Sequence, residues 1–490
     1  MKPTLVLRSF LLGSSIATLI TSPAAFAGQI WDGGSLVDSS TMTKENWTGT
    51  GGGVLPTATT VQFAGSVRTT VAWDGINTAS NINLTGILFN AGASVFNINA
   101  GTQSAVQFTS NSTATIQNNS SNLQTLAIQS RVFFNGTKTF DAGASNAGLA
   151  LNGGILFRGD SMLTGEINRL DLIGTGNGMT ANIGRAGTFA GTANTQLVKN
   201  GSGKWTITGN VTDTGTHTIT QGTLEYQGSI ASSGITNNAA MILSNAVDQS
   251  YANNIGGNGT LTKSGAGKFT LDGTNGYSGA TNVTAGTLAV TGSLGNTTTT
   301  IGAGAPNTGT LQGSGTIAGS VTIANGGKLA PGNSIESLGT GALSFASGST
   351  YAYELQTNLY AGTPNVAGDL TDSTGTLDIT AGAILTLTEL AANTALAVDS
   401  KLTLISYFGG WTAGELFTYN AATLNDGDIF TLGANEWRFE YDDLTGGPNF
   451  TAEQATGPTA RFVTMTVVPE PGAALLGGLG MLVLLRRRQR

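Results

Sequence analysis

The chain repeats itself internally, and the repeat limits the folds open to it. Leu197, Lys199, Gly201, Gly203, Lys204, Trp205 and Ile207 return 64 residues later as Leu261, Lys263, Gly265, Gly267, Lys268, Phe269 and Leu271. Gly222-Thr223-Leu224 and Gly286-Thr287-Leu288 keep the same offset, so each unit holds its spacing over at least 28 residues. A third such step, Gly309-Thr310-Leu311, leads into Leu329-Ala330-Pro331-Gly332-Asn333-Ser334. Around the units, apolar residues alternate with polar ones, as in Val321-Thr322-Ile323, Leu377-Asp378-Ile379 and Leu402-Thr403-Leu404. A period of two punctuated by glycine and asparagine reads as short strands and turns. Repeated units of this kind bury their apolar face only against their neighbours. Stacked β-coils meet that need, with one inward apolar row per strand and backbone pairing to the coils on either side. Glycine opens the corners, and threonine and asparagine suit the stacked polar positions.

Composition narrows the chemistry. The 490 residues include 72 Gly, 10 Pro, one His and no Cys, with 10% charged residues and a net charge of −7. Disorder needs a higher charge, and collagen needs glycine at a period of three. Without cysteine there is no disulfide framework, thiolate metal site, iron–sulfur cluster or thiol nucleophile. One histidine excludes multi-histidine metal centres and argues against a histidine-dependent hydrolase. A sequence pI near 4.8 gives no basic footprint for nucleic acid. No cofactor is expected.

The repeat resembles the autotransporter-associated β-strand repeat of bacterial passenger domains. The form K-x-G-x-G-x-aromatic-x-aliphatic, then Tyr-x-Gly and G-T-L, is matched closely over 261–288; over 197–224 the Tyr-x-Gly step is missing. Trp31-Asp32-Gly33-Gly34, Asn46-Trp47 and Ile87 to Gly92 are similar to the leading segment of such proteins. The resemblance implies a right-handed parallel β-helix; composition alone leaves a sandwich or barrel open. One feature departs from that pattern: the chain ends in arginines after an apolar stretch, where an autotransporter ends in a membrane barrel.

Residues 1–27 read as a signal peptide: Lys2 and Arg8, an apolar run through Ile20, and Ala25-Phe26-Ala27 as the cleavage site for signal peptidase. At the other end, Pro469-Glu470-Pro471 precedes the uncharged stretch 472–485 and the cluster Arg486-Arg487-Arg488-Gln489-Arg490. As a helix, that stretch reaches about 21 Å against a hydrocarbon layer of about 30 Å, with the arginines held on the cytoplasmic side. The three parts in order resemble the PEP-CTERM sorting signal of Gram-negative bacteria. That resemblance implies processing by an exosortase after transient inner-membrane anchoring, then release to the cell surface or extracellular matrix.

Residues 28–360 hold 12 basic and 14 acidic side chains, whereas 361–460 hold 2 and 13. Strands persist there, so 351–467 reads as an acidic β-rich region capping a β-helical region over 28–350, with 468–490 as the sorting signal. Asp426 with Asp428 and Asp442 with Asp443 are candidate Ca²⁺ ligands, with Asp-Gly hairpin turns as the alternative. His217 is matched by Thr281 in the second unit, which favours an ordinary strand position over a catalytic base. Lys199, Lys204, Lys263 and Lys268 read as surface charges that discourage strand addition. Trp31 and Trp73 are candidate sugar platforms or buried cap residues, and Gly174, Gly176 and Gly178 a Gly-rich turn or a phosphate loop. The expected protein is an exported, non-enzymatic, structural or adhesive surface protein with exopolysaccharide as a possible partner. At about 20 residues per coil it forms a stalk on the order of 100 Å. The rival is a carbohydrate-active β-helix enzyme, a polysaccharide lyase or hydrolase, which needs paired carboxylates.

Overall fold

The computed structural model describes residues 28–31, 47–48, 59–64, 70–72, 81–99, 105–108, 114–132, 136–159, 166–186, 194–302, 308–332, 334–360, 363–390, 394–409, 411, 414, 416–447 and 459–469. Residues 1–27, with Ala25 and Ala27, lie outside them, as do Trp73, Glu470, Pro471 and the stretch 472–485. The described residues are all β and turn. No helix among them is long and apolar enough to cross a membrane.

Strands of two to five residues dominate because a glycine or asparagine corner interrupts the alternation every few residues. They stack in parallel into three columns, so each coil contributes three short strands. One column runs without interruption through fourteen strands, from Thr70–Ala72 to Leu377–Ile379. A second starts with Gly28–Trp31 and Thr59–Phe63 and enters the long strand Asn81–Phe89, whose halves pair separately: Asn81 to Leu84 with Ala105–Phe108, and Gly86 to Phe89 with Ala114–Asn118. That one strand therefore seeds two faces. The second column climbs through Ile167–Ile173 and Asn194–Lys199 to Ile255–Gly256. Thr274–Asn275 lies next to its end, and Asn275 Oδ1 accepts Ile255 N–H at 3.0 Å. The third column passes through Ile183–Ala186 and the single bridges at Val211 and Ile230, and from Gln249–Tyr251 it runs on to Phe417–Tyr419.

Inward positions form continuous buried rows, mostly apolar, with polar side chains such as Lys263 and Thr281 set into them. On the uninterrupted face Trp205, Leu224, Met241 and Leu261 are register partners, as are Tyr226, Leu243, Lys263, Val283 and Ile301. All of these are buried. Burying one large apolar side chain contributes about 1.5–3 kcal/mol, so the rows carry most of the stabilisation. The coil length varies: Lys263 to Val283 is 20 residues, but Phe140 to Leu172 is 32 and Phe345 to Ile379 is 34. Those wide turns shorten the stalk. Fourteen strands at about 4.8 Å span about 60 Å, less than a uniform 20-residue coil implies.

Parallel stacking continues beyond residue 350, with Thr350–Tyr360 pairing Ala383–Glu389 and Leu343–Phe345 pairing Leu377–Ile379. Past Leu355 the first of these strands leaves the stack and forms an antiparallel arm with Thr363–Gly368. The last coil is covered by antiparallel strands: Lys401–Phe408 pairs Ala460–Val468, which pairs Asn435–Asp443, which pairs Ile429–Leu432. Switching to antiparallel pairing ends the template that an open parallel edge would offer.

Candidate functional site

The repeat motif builds a corner. In the first unit Asn194–Lys199 turns through Gly201 and Gly203 into Lys204–Ile207. Lys199 is buried, and its Nζ donates to Gly201 O and to Gln221 O of the next coil (3.1 Å). Lys263 is buried likewise, donating to Gly265 O and Ala285 O. Burial lowers both ammonium groups to about 8. The expectation that these two lysines are surface charges is therefore wrong. Corner carbonyls pointing inward lack strand partners, and a long side chain with three donors satisfies them. Lys204, by contrast, is about half exposed and pairs with Glu225, while Lys268 is half-buried.

The glycines of the motif follow from the same corner. Gly222 and Gly286 hold φ near +66° and +63° directly over the corner below. A Cβ on Gly286 would meet Gly265 O, Gly267 O (2.7 Å) and Ala266 O (2.8 Å). Gly178 has a different reason: it is the register partner of Trp205, whose indole fills the place of its missing Cβ. Gly174, with φ near +99°, and Gly176 pack on the carbonyls and amides of the preceding corner at Ala142 to Ala147. The Gly174 to Gly178 segment is thus a coil corner.

His217 is fully buried between Leu197 and Ile235. Its Nδ1 is 2.8 Å from the Tyr226 hydroxyl, and its Nε2 lies 3.7 Å from Asp213 Oδ2. Thr195 Oγ1 donates to the other Asp213 oxygen at 2.6 Å. Superficially this chain resembles a hydrolytic relay, yet His217, Asp213, Thr195 and Tyr226 are all enclosed in the core. The second unit explains it. There Tyr277 replaces Asp213, Thr281 replaces His217 and Val290 replaces Tyr226, and the Tyr277 hydroxyl lies 2.7 Å from Thr281 Oγ1. Both units put one tyrosine hydroxyl on one polar inward side chain, from opposite sides. The missing Tyr-x-Gly of the first unit is compensated by Tyr226, which sequence alignment alone did not reveal.

The four acidic candidates of the C-terminal region are each engaged by the protein. Asp426 Oδ1 accepts Tyr441 N–H (2.9 Å), and Asp428 Oδ2 accepts Asn425 N–H (2.7 Å), across a turn with Gly427 at positive φ. Asp442 pairs with Arg461 (3.1 Å). Burial would raise Asp443, but bonds from Lys401, Thr445 and Thr464 outweigh it and leave the carboxyl below its ordinary range. Among the described residues, no group of three or more His, Asp or Glu side chains could hold a metal ion. Trp31 sits in a strand paired with Trp47 and Phe63. Pro469 is exposed, one residue past the strand Ala460–Val468.

Two segments, 197–225 and 261–290, match the passenger-associated-transport-repeat family. These are the two corner units, and the chain carries repeats of that kind. No curated protein matches the chain.

Proposed function

We propose that this chain is an exported cell-surface or extracellular-matrix protein whose role is structural or adhesive. The observation that carries the reading is the pair of passenger-type repeats built into a stack whose polar inward groups serve the coil corners and core. Such repeats are passenger-like and consistent with a secreted surface protein. The finer reading adds four parts. The coil is right-handed, as parallel crossovers nearly always are. Signal peptidase cuts after Ala27. An exosortase processes the chain at Pro469-Glu470-Pro471 after the apolar stretch has held it transiently in the inner membrane. The stalk then contacts exopolysaccharide through many weak polar contacts.

The mass of the mature protein, measured together with its cell fraction, tests delivery. A chain starting near Gly28, lacking the arginine cluster and retained in the matrix, is the expected result. Intact protein ending at Arg490 at the cell surface overturns the sorting route. Turnover on a polysaccharide panel that one carboxylate substitution abolishes would replace the structural role with the enzymatic one.

A further inference from the structure

The uninterrupted fourteen-strand column is nearly free of charge on its outer side. The charged residues of its strands are Lys204, Glu225, Lys263 and Asp378, and Lys263 points inward. Lys204 and Glu225 neutralise one another, and Asp378 stands on the last strand. The adjoining column differs. There Lys268, Thr287, Thr310 and Lys328 are successive register partners, which puts two ammonium groups in one outward file. In a chain of net charge −7, the fourteen-strand column thus presents a neutral strip along the stack.

Two kinds of group line the strip. Within four successive coils near its start, Val95, Leu123 and Met179 are 45%, 51% and 37% exposed. Leu123 lies over its register partner Gly148, where a Cβ would stand 2.8 Å from Leu123 Cδ1. Further along, Ile242, Thr262, Asn282, Thr300, Thr322 and Ser344 are successive register partners, all partly exposed. They recur at about 4.8 Å. Ser344 Oγ donates to Thr322 Oγ1 at 3.2 Å, whereas the side chains of Thr262, Asn282 and Thr300 have no protein partner among the described residues.

We propose that this strip binds an uncharged, extended polysaccharide laid along the stack axis. The proposal rests on the exopolysaccharide reading above and gives it a face and a charge class. Free hydroxyl and amide groups at constant spacing meet the ring hydroxyls of a polymer that is itself periodic. The exposed Val95, Leu123 and Met179 side chains meet the C–H faces of its rings. Covering the strip from Val95 to Ser344 desolvates no unpaired charge, whereas covering the adjoining column takes water from Lys268 and Lys328. A polyanion finds no free cation on the strip and is repelled by the chain's net charge. Each contact is weak, so affinity grows with the number of coils engaged.

Affinity electrophoresis of the full chain provides the test, in gels holding hydroxyethylcellulose or galactomannan, both uncharged, or anionic polygalacturonate. The neutral polymers should retard the protein equally at low and high salt, because no ion pair forms, and polygalacturonate should not retard it. Thr300→Asp sets a charge in the middle of the strip and should weaken retention about ten-fold or more. Thr310→Asp makes the same change on the adjoining column and should behave as wild type. If Thr300→Asp does not fold, Leu123→Asp takes its place. Retention by polygalacturonate alone, or an equal effect of the two aspartates, overturns the neutral strip and leaves polysaccharide binding standing. Retention by none of the polymers overturns both. Self-association that Thr300→Asp abolishes, without retention by a neutral polymer, gives the strip to a second copy of the chain and overturns the proposal.

Discussion

Replacing Gly286 by alanine tests the corner directly. At φ near +63° a Cβ costs about 1–2 kcal/mol by backbone conformation alone. The new methyl also lands on three backbone carbonyls of the coil below, which cannot turn aside as a side-chain tip can. Together these place Gly286→Ala at about 2–4 kcal/mol of local destabilisation. Gly276 is the internal control, since a Cβ there meets nothing within 4 Å. Native-state hydrogen exchange should be read at Thr284, whose N–H bonds Lys263 O, and at Thr291, whose N–H bonds Leu271 O. Their protection should fall by about 30-fold or more in Gly286→Ala, at 1.36 kcal/mol per factor of ten, and stay near wild type in Gly276→Ala. Gly222→Ala should behave as Gly286→Ala does, because it closes the same corner elsewhere in the stack. If Gly286→Ala and Gly276→Ala agree within about 0.5 kcal/mol, the corner account is refuted.

The buried lysines predict an unusual pH response. Their folded value near 8 lies below the ordinary 10.5, so the unfolded chain binds more protons between the two. Stability should therefore rise from about pH 8 to about pH 10, and Lys263→Met should flatten part of that rise in denaturant midpoints. Trp205→Ala should cost about 3–5 kcal/mol through its cavity. Gly178→Ala should also destabilise, but much less when combined with Trp205→Leu; an additive double-mutant cycle would contradict their contact. Tyr226→Phe leaves His217 Nδ1 without its buried partner and should cost about 1–3 kcal/mol. Tyr277→Phe should cost less in the same thermal-unfolding assay, because Thr281 Oγ1 keeps Thr297 Oγ1 at 3.1 Å.

By itself the sequence determined the β class, the inward rows and the corner units, because alternation and glycine punctuation are local and a stacked coil reads them locally. Trp205, Ile207, Phe269 and Leu271 face inward as their alternation requires. Only the tertiary structure decided what the lysines do. Lys199 and Lys263 have a spacing equally compatible with solvent, and their burial depends on carbonyls from two coils meeting at one corner. It also decided where the repeat sits. The first unit pairs within the columns of Asn194–Lys199 and Lys204–Ile207, whereas the second lies one face further round, on Thr260–Lys263 and Lys268–Leu271. An offset of 64 residues is not a whole number of coils, and no linear pattern shows that the three faces are interchangeable. The tyrosine contacts belong to the same class: Tyr226 meets His217 nine residues away across one coil, Tyr277 meets Thr281 four residues away, and only the packing of the core decides which hydroxyl reaches which partner.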